Sequence, residues 1–385
     1  MQLASTKPDK KEEKVKFYSL KKIDSTNSQY RIIIGERSNG KTYAILLRIL
    51  ENYVKFQKQG VYVRRWMEDV KGYRADTLFE NIVKNGLVDK LTKGKYNTIV
   101  HFRRRWYLAQ FKGGEKVDQD PVPMMFAMSL TEQEHDKSTS YPDVTTIFFD
   151  ELLTRQLYLP DEFVTFMNVI STIVRLRTDV TVYMAGNTVN KHCPYFKEMG
   201  ITHIDKLKQG SIDVYRYGES GLSVAIEYCN AMEKNSKPSS VYFAFQNQKL
   251  HMITGGLWEL SMYPHAPCKI LPKDIIANFF IEFDEHILHC EVVRKMVDGS
   301  IMEFIYIHEK TTEIKNRGRD IIFSTTADAR PNVITNITKP IYDFHKKILK
   351  MFIKDKVFYQ SNDVGELVRN YFNVCMQMKI VKEAY

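Results

Sequence analysis

The sequence is poor in cysteine and contains no long apolar run. Its five cysteines are scattered along 385 residues, and none lies in a C-x-x-C pair, the spacing typical of zinc and redox sites. No segment reaches the roughly 18 consecutive apolar residues of a membrane-spanning helix. Residues 7–16 are a mixed-charge stretch and do not resemble a signal peptide. We therefore expect a soluble, intracellular protein of a reducing compartment, without membrane association.

The chain is basic and long enough for more than one domain. Lys and Arg number 56 against 46 Asp and Glu, a formal net charge of +10. This balance favours a polyanionic partner or an acidic surface, although many globular proteins are equally basic. The hydrophobic content is 44%. At about 100–200 residues per domain, the length predicts two or three folding units.

A phosphate-binding loop is predicted at residues 31–42, RIIIGERSNGKT. The spacing G-x-x-x-x-G-K-[ST] follows an apolar β-branched run and precedes a segment with helical periodicity. The glycines let successive N–H groups face phosphate oxygens, and the helix presents its positive end. Lys41 is predicted to reach the β- and γ-phosphates of ATP, and Thr42 to bind Mg²⁺. The predicted nucleotide-binding residues are Gly35, Glu36, Arg37, Ser38, Asn39, Gly40, Lys41, Thr42 and Asp150.

A second acidic element is predicted at residues 144–151, VTTIFFDE. A fully apolar strand that ends in two carboxylates is typical of a buried parallel strand beside a P-loop. Asp150 is the expected partner of Mg²⁺, and Glu151 the expected base that polarises the attacking water. Without the P-loop, a buried strand followed by an acidic helix cap would be the preferred interpretation. The adjacent glutamate groups the chain with ring-forming ATPases rather than small-molecule kinases.

Residues 161–175 have helical periodicity and lead into a predicted strand, DVTVYMAGN, at 179–187. Asn187 at its end is placed as a sensor that bonds the γ-phosphate or the lytic water. The alternative is a simple turn former. Further strands are predicted at 60–66 and 123–130, and a hairpin at 98–111.

These segments resemble a known family. GERSNGKTYA, YVRR at 62–65, KSTSYPDVTTIFFDE at 137–151, TIVRLR at 172–177 and GNTVNKHCPYF at 186–196 are similar to the encapsidation ATPases of protein-primed, phi-29-like podoviruses. The resemblance covers most of residues 28–200, in order and with compatible spacing. It implies an α/β P-loop NTPase of the additional-strand, catalytic-glutamate type.

The resemblance also implies a mechanical function. The family forms a ring, a homopentamer, at the portal vertex of an empty capsid and pumps double-stranded DNA inward. The implied partners are the DNA, the portal (connector) protein and, in some phages, a scaffold RNA. The implied location is the host cytoplasm, transiently at the procapsid portal vertex, and not the mature virion.

The resemblance implies roles for several basic residues. Ring ATPases complete each site with an arginine finger from a neighbouring subunit, and Arg175 is the first candidate, followed by Arg177. Both could instead be solvated arginines at a helix end. Arg37, inside the P-loop, is expected to sense ATP in cis, unless it simply faces solvent. Lys137 is expected to project into the subunit interface.

Contacts of a motor with DNA should be made to phosphates, because base contacts would restrict it to particular sequences. Two basic clusters are candidates, although such clusters are usually solvated faces. They comprise Arg64, Arg65, Lys71 and Arg74, and then Arg103, Arg104 and Arg105. Arg64 and Arg65 have two alternatives: they help to seat the nucleotide, or they line the subunit interface.

Four regions are predicted along the chain: an N-terminal extension (1–27), a P-loop ATPase domain (28–204), a small linker domain (205–265) and a C-terminal domain (266–385). The last has strands followed by two helices, an α+β pattern. The resemblance implies an RNase H-like fold there. Nucleases of that fold need several carboxylates that converge on two metals. Four aspartates are available, Asp284, Asp298, Asp320 and Asp328, but they form no recognisable motif, so we expect a degenerate nuclease without activity.

Three other functions share parts of this pattern. A helicase-like or partitioning ATPase would use the same nucleotide site, but the extended match at 137–151 argues against it. A non-hydrolysing nucleotide-binding regulator or scaffold would fit if Glu151 is not the base. A small-molecule kinase would need a lid and an acceptor site, and the net basic charge disfavours it.

Overall fold

The computed structural model describes residues 17–132, 140–230, 257–258, 261–297 and 299–383. The chain forms two compact units. Unit 1 comprises Met1–Thr154 and Asp161–Trp258, and unit 2 comprises Arg155–Pro160 and Glu259–Tyr385. Across the described ranges, no helix combines the length and apolar character needed to cross a bilayer.

Unit 1 is built on a mixed sheet of ten strands within the described residues. The strands are β1 (Tyr30–Gly35), β2 (Gln59–Arg64), β3 (Thr98–Phe102), β4 (Arg105–Lys112), β5 (Glu115–Gln119), β6 (Met125–Ser129), β7 (Val144–Asp150), β8 (Thr181–Asn187), β9 (Ile212–Tyr217) and β10 (Leu222–Tyr228). Their order is β3-β4-β6-β2-β7-β8-β1-β10-β9, with β5 paired to β4. Six neighbouring strands of this sheet are parallel to one another: β6, β2, β7, β8, β1 and β10.

The position of β8 defines the type of P-loop fold. It lies between β1, which carries the P-loop, and β7, which carries the two carboxylates. An extra strand in this place is the feature of the additional-strand class, so the predicted fold class is confirmed. Because all three strands are parallel, their carboxyl ends meet at one edge of the sheet.

Helices cover the sheet of unit 1. They are α1 (Lys21–Asp24), α2 (Lys41–Phe56), α3 (Gly72–Asp76), α4 (Glu80–Lys84), α5 (Leu87–Thr92), α6 (Glu162–Val174) and α7 (Pro194–Glu198). Helix α2 forms because its apolar residues recur at helical spacing and bury one face, including Ile45, Ile49 and Tyr53. It packs so closely on β2 that a Cβ atom at Gly60 would lie 2.6 Å from Ile49 Cγ2.

The predicted linker domain at 205–265 differs from the structure. Strands β9 and β10 belong to the sheet of unit 1, where Ile32 of β1 pairs in parallel with Ile226 of β10. The physical reason is burial: β1 would otherwise be an exposed apolar edge strand. Residues 231–256 of the predicted linker lie outside the described residues. In sequence, unit 1 ends at Trp258, and residues Arg155–Pro160, predicted in the ATPase domain, belong to unit 2.

Unit 2 contains a second sheet. Its strands are β11 (Ile275–Phe283), β12 (His286–Val297), β13 (Ser300–Glu309), β14 (Ile322–Ser324), β15 (Val333–Ile334) and β16 (Val357–Tyr359), and its helices are α8 (Asp343–Ile353) and α9 (Asn362–Glu383). The order is β15-β14-β11-β12-β13-β16. Strands β11, β12 and β13 are antiparallel, whereas β14 and β15 continue in parallel from β11.

The strand order of unit 2 matches the predicted RNase H-like arrangement. Three antiparallel strands come first, and two parallel strands extend the sheet from the first of them. Residues 310–321, between the third and fourth strands, contain no helix. Both α8 and α9 contribute to a core that contains Ile348, Tyr371 and the buried face of the sheet.

Candidate functional site

The P-loop connects β1 to α2 and adopts a backbone suited to an anion. Ser38 and Gly40 have φ angles of 59° and 94°, and α2 begins directly after Gly40. Glycine is required at position 40 because other residues rarely adopt such a φ angle. Asn39 is buried, and its Oδ1 accepts a hydrogen bond from the backbone N–H of Lys41 at 3.2 Å. Arg37 is exposed on the outside of the loop.

The Lys41 ammonium is buried inside this loop. Its Nζ donates to the Glu36 carbonyl (2.6 Å), to Asn39 Oδ1 (3.2 Å) and to Asn187 Oδ1 (3.2 Å). Burial lowers the pKa of Lys41 to about 8, since the charged form loses hydration. The amine is therefore held among neutral oxygen acceptors, ready to gain a stronger anionic partner.

Asp150, at the end of β7, faces the start of α2. The Thr42 hydroxyl lies 3.3 Å from Oδ1 and 3.2 Å from Oδ2, and the Tyr62 hydroxyl donates to Oδ2 at 3.2 Å. Burial raises the pKa of Asp150, so a nearby cation would be stabilising. Adjacent ligands of octahedral Mg²⁺ lie about 3 Å apart, given bond lengths of 2.0–2.1 Å. The oxygens of Thr42 and Asp150 therefore fit this ion.

Glu151 follows in a left-handed backbone conformation, with φ 61°. Its side chain is 60% exposed, and Arg64 Nη2 lies 2.6 Å from Oε2. Arg64 also bonds the Tyr62 hydroxyl (3.1 Å) and Asp69 (3.2 Å). The sharp turn points the carboxylate into the open cleft, and Arg64 fixes its direction.

Arg65 stabilises the same turn from behind. It makes a bidentate ion pair with Glu162 at the start of α6, at 2.7 and 2.8 Å, and donates to the carbonyls of Glu151 and Leu152, both at 3.2 Å. Tyr195 donates to Glu162 Oε1 at 3.0 Å. The Glu162 side chain is fully buried. This network fixes the segment that carries Glu151.

The structure places Arg64 and Arg65, both predicted to contact DNA, largely inside unit 1. Neighbouring residues of a strand point to opposite faces, so one arginine enters the nucleotide cleft and the other the interior behind it. Both are largely buried and bonded to carboxylates of unit 1. For Arg64 the contacts favour the alternative of a role at the nucleotide site. Sequence reasoning missed the hydrogen bond between Arg64 and Tyr62. It forms because residues two apart on a strand lie on the same face.

Asn187 ends β8 between the two other elements. Its Oδ1 lies 3.2 Å from Lys41 Nζ, so it faces the P-loop rather than a remote turn. One cleft of about 730 Å³ is lined by residues of all three predicted elements. Those residues are Ser38, Asn39, Gly40, Lys41, Thr42, Asp150, Glu151 and Asn187.

The cleft continues past the P-loop to side chains that sequence reasoning missed. Phe17 lies against Gly40, where an added Cβ would be 3.3 Å from the Phe17 Cβ. Further lining comes from Tyr43 and from the helical segment between β2 and β3, with Leu78, Asn81, Ile82 and Asn85. An aromatic ring beside amide groups can hold a planar base, since it combines an apolar face with polar edges.

Arg175 and Arg177 lie at the opposite edge of the sheet from this cleft. Strand β7 ends at the cleft, α6 returns along the sheet, and both arginines follow α6 before β8 begins. Arg177 donates to the carbonyls of Tyr141 (3.1 Å) and Pro142 (3.0 Å), which precede β7. Arg175 is exposed, with φ 52°, and the next residue, Leu176, is fully exposed. Neither arginine can reach the cleft of its own chain.

The other predicted basic residues lie on the surface of unit 1. Lys71 is paired with Glu68, and Arg74 with Asp69. Both remain more than half exposed. Lys137 lies outside the described residues.

Arg103 and Arg104 form the two-residue turn of the predicted hairpin between β3 and β4. Phe102 pairs with Arg105, and the two turn residues have φ angles of 47° and 61°. Such turns normally use Asn-Gly, because arginine is disfavoured at positive φ. Arg103 lies over the half-exposed Phe102 ring, at 5.1 Å from the ring centroid. Because this backbone disfavours arginine, the presence of two arginines at the turn indicates a functional role rather than a contribution to folding.

The fold and the site together define an additional-strand P-loop NTPase with an acidic pair at the tip of the neighbouring strand. The family described as podovirus DNA encapsidation protein (Gp16) matches residues 12–215. This match covers more than half of the chain, and the protein belongs to that family.

Three proteins similar to this chain come from Bacillus phages. The DNA packaging proteins of phages phi29 and PZA are each 27% identical over 183 residues, which is 47% of this chain and 49% of theirs. The DNA packaging protein of phage B103 is 26% identical over 259 residues, 59% of this chain and 73% of that protein. The chain thus spans about half the length of the phi29 and PZA relatives that it matches.

Solved structures extend the similarity in fold to both units. A chain of the bacteriophage Phi-29 viral genome packaging motor assembly is 18% identical with a TM-score of 0.57, and covers 93% of this chain and 99% of its own length. A chain of the Phi-28 gp11 DNA packaging motor is 17% identical with a TM-score of 0.50, and covers 93% of this chain and 98% of its own length. The shared fold therefore includes unit 2 as well as the P-loop unit.

The Arg65–Glu162 pair generates a prediction about stability. Arg65→Met should destabilise unit 1 by about 3–5 kcal/mol, because it leaves a buried carboxylate without its partner. Arg65→Met/Glu162→Met should recover most of this loss, and Lys71→Ala should change stability by less than about 0.5 kcal/mol. Urea unfolding followed by tryptophan fluorescence measures the effect, since Trp66, Trp106 and Trp258 all belong to unit 1. Unchanged stability with weaker DNA binding would support the DNA-contact prediction.

Proposed function

We propose that this protein is an ATP-driven motor subunit that translocates double-stranded viral DNA into a preformed procapsid. The observation that carries the proposal is the meeting of Lys41, Thr42, Asp150, Glu151 and Asn187 in one cleft. The family and the relatives named for DNA packaging support the direction of use. In this proposal ATP is hydrolysed to ADP and phosphate at each cleft.

The chemistry follows from the side chains. Lys41 and the P-loop N–H groups bind the β- and γ-phosphates, and Phe17 packs against the base. Thr42 and Asp150 hold Mg²⁺, which offsets negative charge on the phosphate oxygens. Glu151 takes a proton from the attacking water, and Asn187 orients the γ-phosphate or that water. Arg37, exposed at the loop, senses ATP in cis.

Arg64 positions Glu151 in this mechanism. The ion pair between them holds the carboxylate in one direction, with Arg64 Nη2 2.6 Å from Oε2. The same guanidinium bonds Tyr62, which in turn bonds Asp150. One residue therefore links the base to the magnesium ligand.

The site is completed by a second subunit. Arg175 cannot reach its own cleft, but its exposed position beside Leu176 suits a protein interface. We place it in the cleft of a neighbouring subunit, where it stabilises charge that develops on the γ-phosphoryl group. Arg177 holds the loop before β7 and so positions this segment.

The wider assembly in this proposal is a homopentameric ring that contacts the portal protein and, where the phage has one, a scaffold RNA. It acts in the host cytoplasm at the portal vertex and is absent from the mature virion. In this proposal unit 2 serves docking and does not cut DNA, since the aspartates of its sequence form no recognisable nuclease motif. Asp298, one of these aspartates, lies outside the described residues.

Subunit mixing tests the motor and its interface together. Glu151→Gln and Arg175→Ala should each reduce DNA-stimulated ATP hydrolysis on the order of 10³-fold, because the base or the finger is lost. An equal mixture of the two variants should recover about a quarter of wild-type activity. Half of the subunits then keep Glu151, and about half of those lie next to a subunit that keeps Arg175. The measurement is steady-state phosphate release on assembled procapsids.

The matched control is Arg216→Ala, a change of the same type on β9. It should leave hydrolysis unchanged. Full activity of Glu151→Gln would point to a different base. Absence of hydrolysis in the wild-type protein would favour a non-hydrolysing regulator. Hydrolysis that is indifferent to double-stranded DNA would favour a kinase.

A second prediction concerns pH. Free Lys41 loses its proton above a pKa of about 8, whereas phosphates favour the charged form and raise that pKa on binding. ATP binding should therefore take up a proton above pH 8, and affinity should fall by up to about tenfold per pH unit. Calorimetric titration at pH 7, 8 and 9 measures this slope. Lys41→Arg should show a flat profile, because arginine stays charged, and equal slopes in both proteins would contradict the assignment.

The β3–β4 turn gives a third prediction. Arg103→Asn/Arg104→Gly removes two charges but supplies the turn sequence that this backbone prefers, so the fold should be preserved. If the turn contacts DNA phosphates, the slope of log affinity against log salt should fall by about 2. Lys112→Ser/Lys116→Ser removes two exposed charges from the next hairpin and should not change the slope. An equal loss in both double variants would show only a general effect of charge.

A further inference from the structure

Unit 2 contains a group of metal-binding side chains far in sequence from the P-loop. We name His289, Glu291 and His308 the His–Glu cluster. On β12, Leu288, Cys290 and Val292 belong to the core beneath α8 and α9, so the alternate residues His289 and Glu291 lie on the other face of the sheet. On β13, His308 pairs directly with His289 across the strands. The backbone ladder thus brings the three side chains together on one half-buried face.

The distances suit coordination. One ligand atom from each residue can be chosen so that all three lie within 4.8 Å of one another. His308 Nε2 is 3.8 Å from Glu291 Oε1, and the two imidazole centroids are 4.8 Å apart. Ligands of tetrahedral zinc lie about 3.3 Å apart, given bonds of 2.0–2.1 Å. Small side-chain rotations close that difference while the strands stay in register.

The outer contacts of both histidines leave a ring nitrogen for the metal. His289 Nε2 faces Asn278 Oδ1 at 3.0 Å, and His308 Nδ1 faces the Glu309 carbonyl at 3.2 Å. Both partners are acceptors, so these two ring nitrogens carry the protons of the neutral imidazoles. The remaining lone pairs are on His289 Nδ1 and His308 Nε2. Metal-binding histidines typically use one nitrogen for the ion and donate the other to such a group.

Aromatic rings restrict the histidines further. Phe280 stacks on His289 with centroids 4.9 Å apart, and Tyr306 lies 5.7 Å from His308. If His308 is neutral, its Nε2 lone pair and the Glu291 carboxylate are both acceptors, and they repel each other. A cation between them removes that repulsion, and the competing solution is a protonated His308 that pairs with Glu291 without metal.

We propose that the His–Glu cluster is a binding site for a divalent transition metal of the zinc type. Two imidazoles and one carboxylate favour Zn²⁺ over Mg²⁺, which prefers oxygen ligands. Three protein ligands leave a fourth position for water or for a donor from another molecule. The site is separate from the magnesium ligands Thr42 and Asp150, which lie in unit 1. It does not depend on the proposed motor function.

Cobalt titration tests the site directly. The full chain with Asp150→Asn, which removes the carboxylate ligand for Mg²⁺, is stripped of metal and titrated with Co²⁺ without nucleotide. We expect one equivalent to bind with the visible absorption of tetrahedral cobalt, and Zn²⁺ to displace it. Adding His308→Asn should abolish that absorption, and Asn278→Ala should weaken binding by about 10–100-fold through the outer contact.

The matched control is His101→Asn in the same background, since His101 lies in unit 1 and pairs with a single carboxylate, Asp76. It should bind Co²⁺ like its parent. Circular dichroism of each apo variant establishes that it is folded. Absence of tetrahedral absorption in the parent protein, or equal absorption after His308→Asn, would overturn the metal site. The first result would favour the metal-free ion pair.

Discussion

The parallel pairing of β1, β8 and β7 is the constraint on which the site depends. Three strands that run in the same direction must end at the same edge, so residues more than a hundred positions apart become neighbours. Lys41 meets Asn187, and Thr42 meets Asp150, without any long loop to hold them. The burial of these strands on both faces stabilises that geometry, and it also explains their nearly unbroken apolar sequences.

Two consecutive arginines at the end of β2 point to opposite faces and have different roles. Arg64 enters the cleft and orients Glu151, whereas Arg65 turns inward and holds the backbone of the same segment through Glu162. The first interaction is partly solvated and can rearrange. The second is fully enclosed and resists change, because separation of the pair would leave a buried charge. The side chain of Glu151 is therefore held by Arg64, which can rearrange, and its backbone by Arg65, which cannot.

Much of this site could be predicted from local sequence. The P-loop, the acidic strand end, α6 and the β3–β4 hairpin follow from spacing and periodicity, which act over a few residues. Sequence reasoning missed the interior positions of Arg64 and Arg65, because the glutamates that they bind, Glu151 and Glu162, lie on distant segments of the chain. The linker prediction differed for the same reason. Only tertiary pairing places β10 beside β1, and Phe17 reaches the cleft from a segment without a motif.

Helix α6 also restricts how copies of this chain could associate under the proposed function. It has 13 residues and, at 1.5 Å per residue, separates the cleft edge from Arg175 by about 20 Å. If Arg175 completes the cleft of a neighbouring copy, as proposed, the interface must join two unlike surfaces. Such head-to-tail contacts leave one free end of each kind until the last subunit is added. A closed ring satisfies every cleft, whereas an open chain of any length keeps one cleft incomplete.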